Sequence, residues 1–75
     1  MYYIYRNKKI VTRHYTIKGA LRTIWGLKKT FERTGAGEFP YRIMDDNGNT
    51  VIWAIKTKNM YAYNQKGEII ETIKR

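Results

Sequence analysis

The stretch from Thr16 to Arg33, TIKGALRTIWGLKKTFER, is the one segment of this chain whose apolar residues recur at helical spacing. It constrains the fold more than any other feature. A lone helix among short β-type segments has to be laid on a sheet to bury its apolar side. At about 100° per residue, Ile17, Ala20, Leu21, Ile24, Leu27 and Phe31 share one side. Lys18, Arg22, Lys29 and Arg33 gather on another, within roughly 60° of arc. Trp25 lies beside this basic stripe, placed either to stack on a base or to cap the core edge beneath the lysine stems. Thr16 suits the N-cap, and Gly35-Ala36-Gly37 suits the end, with Lys28, Lys29 and Arg33 near the negative pole of the dipole. Gly26 costs a helix roughly 1 kcal/mol relative to alanine, so a neighbouring element is expected to approach its backbone closely.

The flanking segments read as strands. Residues 2–5 and 10–15 are dominated by β-branched and aromatic side chains and are joined through a turn at Asn7. Pairing Tyr5 with Ile10 places Tyr3, Tyr5, Ile10 and Thr12 on one face and Tyr2, Ile4, Val11 and Arg13 on the other. Residues 39–44 and 51–55 flank Asp45-Asp46-Asn47-Gly48, a type I turn closed by a left-handed glycine. Only that bulged turn pairs Ile43 with Val51, Tyr41 with Trp53 and Phe39 with Ile55, all on one face. Pro40 needs an edge or an unpaired position. The same turn grammar returns in Asn64-Gln65-Lys66-Gly67, which sets Tyr63 opposite Ile69 and Tyr61 opposite Glu71. That register puts Met60, Ala62 and Ile70 on one face of the last hairpin and Tyr61, Tyr63, Ile69 and Ile73 on the other, so the hairpin is expected to be central in the sheet or to meet another chain. The order is ββ-α-ββββ over residues 1–75: a single α+β domain, one helix on one face of a mostly antiparallel sheet, a two-layer sandwich.

Charge is unevenly spread. The net charge is +9, and residues 1–33 carry nine basic side chains against Glu32 alone. Residues 34–75 hold six basic and five acidic side chains. A polyanion is the natural partner of such a surface, because phosphate neutralisation drives sequence-independent binding. The candidate contacts are Lys18, Arg22, Trp25, Lys29 and Arg33 on the helix, extended by Arg6, Lys8, Lys9 and Arg13 from the first hairpin.

Several chemistries are excluded. Serine and cysteine are both absent, so no serine or cysteine nucleophile, disulfide or thiolate metal cluster is possible. Turn chemistry accounts for Asp45 and Asp46 better than metal binding does, no zinc set can be assembled, and no cofactor fingerprint occurs. No apolar run approaches the ~20 residues of a membrane span, and the N-terminus lacks a signal-peptide core, so a cytoplasmic protein is expected. The expectation is a small non-enzymatic DNA- or RNA-binding protein of the regulatory or accessory kind that bacteria and phages encode. The alternative is a protein-interaction module, such as an inhibitor of a host protein or a homodimer, because aromatics fall on both sheet faces. A third is a small ribonuclease-like toxin using His14, the sole histidine, as base; strand-end histidines are more often surface or capping residues. Architecture of this kind does not by itself fix function.

Overall fold

Four short turns fold the strands into antiparallel neighbours, and three of them have a visible chemical cause. The computed structural model describes residues 1–35 and 37–74; Ala36, in the tripeptide expected to end the helix, lies outside them. The strands are β1 (Tyr2–Arg6), β2 (Lys9–His14), β3 (Tyr41–Asp45), β4 (Thr50–Lys56), β5 (Asn59–Tyr63) and β6 (Ile69–Lys74), with helix α1 (Ile17–Thr34) between β2 and β3. Asn7 and Thr57 open the two-residue turns with φ of 57° each, a conformation asparagine tolerates and β-branched threonine resists. In the two longer turns Asp45 and Asn64 act alike. Asp45 Oδ1 accepts from the backbone amides of Asn47 and Asn49, and Asn64 Oδ1 from those of Lys66 and Glu68, all at 2.9 Å. Gly48 and Gly67 then take φ of 81° and 82°.

The sheet has six antiparallel strands in the order β2-β1-β3-β4-β5-β6, and α1 covers one face: an α+β fold. The helix begins as its sequence dictates, with the Gly19 amide donating to the Thr16 hydroxyl at 3.1 Å. Its end depends on a steric fit. Gly35 has an extended backbone, and a Cβ there would meet the Phe31 ring at 2.6 Å and the Phe31 carbonyl oxygen at 2.7 Å. Ala20, Leu21 and Ile24 are fully buried against Ile4, Ile43, Met60 and Ala62, and Tyr41, Trp53 and Ile55 pack around them. A flat sheet of six strands would span about 24 Å between edges. Yet the first turn of α1 meets both edges, since His14 of β2 lies beside Gly19 and Glu71 of β6 is 3.7 Å from the Lys18 ammonium. The sheet therefore curls around the helix and leaves a convex outer face.

Three sequence expectations need correction. In the first hairpin Tyr5 pairs with Ile10, but the register then shifts so that Ile4 opposes Thr12 and Tyr3 opposes Arg13, with Val11 the extra residue. Arg13 thus moves to the face of Tyr3, away from α1. The face of Ile4 is the core, where an unpaired guanidinium would be costly. In the last hairpin Tyr63 opposes Ile69, but Ala62 opposes Glu71, Tyr61 opposes Thr72 and Met60 opposes Ile73, with Ile70 the extra residue. This shift puts Ile73 in the core, 7% exposed, a gain of about 1.5–3 kcal/mol over leaving it in solvent. β6 is an edge strand, so the hairpin is not central; both edge strands are bulged, a device that discourages pairing with another sheet.

Between β3 and β4, Ile43 pairs with Val51 as expected, but the ladder described there covers only that pair and Met44 with Thr50. Phe39 lies in the angle between the strands, its ring 5.3 Å from Tyr41, 5.8 Å from Trp53 and 5.5 Å from Phe31. Pro40 precedes β3, and its carbonyl accepts from the Asn7 amide. The third correction concerns Gly26. It is exposed, and a Cβ there would meet nothing within 4 Å, so no element approaches it. Gly26→Ala should therefore stabilise the fold by about 0.5–1 kcal/mol through helix propensity alone. Thermal unfolding followed by circular dichroism should show a midpoint several degrees higher.

Candidate nucleic-acid interface

The sheet register and the helix divide the predicted contact residues among three places. At the tip of β1–β2, Arg6, Lys8 and Lys9 come together with Asn7, Ile10, Val11 and Tyr41 around a groove of about 670 Å³. Arg6 lies over the Tyr41 ring, 5.9 Å from its centroid, and that pair separates this groove from a second concavity of about 290 Å³ beside the end of α1.

On α1, Lys18, Arg22, Lys29 and Arg33 are all exposed, as the helical spacing requires. They do not form one uniform track. Lys18 and Arg22 border β6 near Thr72 and Lys74, while Lys29 faces Lys28, Glu32 and Lys58 across a smaller hollow. Trp25 belongs to the core: it is 9% exposed, and Lys29 sits over its ring at 5.9 Å. Of the two roles its position allowed, core edge beneath a lysine stem is the one the packing adopts. Ile55 and, from the β4–β5 turn, Thr57 and Lys58 border the same small hollow as the indole.

Arg13 stands apart from both groups, on the outer face beside Tyr3. That face also holds residues the sequence reading left out. Tyr5 pairs across the sheet with Arg42, whose guanidinium lies 5.3 Å from the ring centroid. Tyr63 carries the Lys56 ammonium at 6.0 Å. The signal was the alternation of the strands, but without the two bulges it assigned Arg13 and Ile73 to the wrong faces.

One acid anchors the corner of this face. Asp46 accepts from the Met1 ammonium and from the Tyr3 hydroxyl, at 2.5 Å and 2.9 Å. Those two hydrogen bonds, the ammonium first, hold the Asp46 carboxyl below its usual range. The Tyr3 hydroxyl is raised above its usual value, chiefly by donating to Asp46. The signs give a pH window. A lowered carboxyl loses its contribution as pH falls through the folded value, and a raised phenol loses its own as pH rises through the folded value. In an ultraviolet titration of the tyrosines, Asp46→Asn should move the Tyr3 phenol back down toward 10.0, the ordinary value.

His14 lies at the end of β2, its Nε2 2.9 Å from the Thr12 hydroxyl. Among the described residues, no group of three or more His, Asp or Glu side chains could hold a metal ion. None of the described helices is long and apolar enough to cross a membrane. No protein-family model matches this chain, and no curated protein or solved structure is significantly similar to it.

Proposed function

We propose that this protein binds nucleic acid without catalysing a reaction, holding the phosphate backbone through exposed lysines and arginines. One observation carries the reading. The chain has fifteen basic side chains against six acidic ones, a net +9, and among the described Lys and Arg side chains Lys18 alone makes an ion pair, with Glu71. Phosphates relieve that excess and release counterions on binding. Arg6, Lys8 and Lys9 line one groove at the hairpin tip, and Lys18, Arg22, Lys29 and Arg33 offer a second surface on the helix. A cytoplasmic regulatory or accessory role fits such a module.

A gel-shift series with duplex DNA, single-stranded DNA and RNA at two salt levels tests this. The expected result is binding at about 50 mM salt that weakens steeply by about 200 mM. Absence of any shift at the lower salt refutes it.

A second reading is favoured by a different observation. Ile10, Val11, Ile52, Ile69 and Ile70 are 42–56% exposed, an apolar surface of the kind that takes a protein partner or a second copy. Capture of a stoichiometric partner that survives nuclease treatment would support it, and a monomer that captures none would refute it.

A further inference from the structure

The face of the sheet that α1 leaves open carries tyrosines and cations side by side. We infer that it is a binding surface for single-stranded nucleic acid, with Tyr5 and Tyr63 as stacking platforms and Arg13, Arg42 and Lys56 as phosphate partners. The inference deepens the proposed function and rests on it.

Four observations converge. First, the pairing places Tyr3, Tyr5, Tyr61 and Tyr63 on the side away from the helix. Second, the described strand residues of that side include the basic Arg13, Arg42, Lys56 and Lys74 and no acid, while Glu71 turns to the helix side to meet Lys18. Third, the rings are positioned in advance. Tyr3 donates to Asp46 and Tyr61 accepts from the Asn59 side chain at 3.2 Å, while Tyr5 and Tyr63 each hold a cation over the ring. Rings fixed beforehand lose little freedom on binding. Fourth, the rows Ile10–Tyr5–Arg42 and Ile52–Tyr63–Ile69 run across the strands, so Tyr5 and Tyr63, three strands apart, are separated by about 14 Å of apolar and cationic surface.

Charge decides between the two occupants an apolar face admits. A second copy seated face to face would bring two sets of four strand cations together, with Asp46 at each corner already held by the Met1 ammonium and Tyr3, and like charges at an interface are costly. A polyanion meets the same cations with opposite sign. Shape then selects among nucleic acids. A duplex is stiff over about 150 base pairs and keeps its bases stacked inside, whereas a single strand follows a convex surface and turns its bases onto aromatic rings. Exposed Ile52 and Ile69 on either side of Tyr63 serve as apolar flanks for a stacked base.

Fluorescence anisotropy with labelled oligo-dT, oligo-rU and a 20-base-pair duplex (about two turns) tests this on three proteins: wild type, Tyr5→Phe/Tyr63→Phe and Tyr5→Thr/Tyr63→Thr. Circular dichroism and equilibrium sedimentation establish folding and mass. The expected result is that the phenylalanine pair binds single strands as wild type does. The threonine pair should lose about five- to 150-fold per ring, with duplex binding unchanged. The dT and rU arms distinguish DNA from RNA. Unchanged single-strand binding by a folded threonine pair overturns the inference and leaves the proposed function standing. So does a wild-type dimer that the threonine pair dissolves, which would assign the face to a second copy. If wild type binds no nucleic acid at all, the proposed function itself fails.

Discussion

Leu21→Ala should leave much of this protein unfolded at 25 °C. Leu21 is fully buried at the middle of the α1 packing surface, among Ile4, Ile24, Ile43 and Met60, which are likewise fully buried. Removing a leucine side chain from such a site costs about 2–5 kcal/mol, the transfer of the lost atoms plus the cavity they leave. A 75-residue domain buries only about 60% of its unfolded surface and has a margin of a few kcal/mol. The chain has no cysteine, so no disulfide supplements that margin. Urea unfolding followed by far-ultraviolet circular dichroism measures the loss directly. Ile69→Ala, at a position 56% exposed, is the control and should change stability by less than about 0.5 kcal/mol. A Leu21→Ala protein as stable as wild type would mean that α1 does not close the core as described.

The second large effect concerns binding. Replacing Arg6, Lys8 and Lys9 together by glutamine should weaken single-strand binding roughly 10²–10³-fold at about 50 mM salt. The estimate follows from the slope of about 0.7 in log affinity per phosphate neutralised on a single strand, with three contacts removed. These three line one groove at the tip of β1–β2 with Ile10 and Val11; Arg6 and Lys9 have the register of Ile4, so a strand on the open face reaches them by passing round the end of the sheet. All three are exposed, so their loss should leave the unfolding midpoint close to that of wild type. The matching change on α1, Lys18, Arg22, Lys29 and Arg33 to glutamine, removes charge from the opposite layer and should cost single-strand binding less.

Much of this architecture was legible in the residues themselves. The helix could be read because its apolar positions repeat and because Thr16 caps it. The turns could be read because aspartate or asparagine followed three residues later by glycine has one favoured geometry. Pairing Ile43 with Val51 was forced, since the competing turn would have split six large apolar residues between two faces. The bulges at Val11 and Ile70 were not legible. Each is a one-residue shift dictated by the core: Arg13 has to leave it and Ile73 has to enter it. Local spacing carries no record of what lies across the sheet. Trp25 was ambiguous for a related reason, as Ile55, Thr57 and Lys58, which border the same hollow, come from a distant part of the chain. The basic stripe on the helix was visible at once. The tyrosine face was not, because β1 and β5 are brought to a common parity only through their pairings with β3 and β4, one of which joins distant parts of the chain.

The most direct test of the account is the salt dependence of wild-type binding to an oligo-dT strand. Log affinity should fall linearly with log salt with a slope of about −2 or steeper, the signature of three or more phosphates neutralised. The Arg6, Lys8 and Lys9 triple variant should be shallower by about 2. A salt-independent affinity, or no binding at about 50 mM salt, would contradict the claim that the uncompensated charge of this protein is there to hold a nucleic acid.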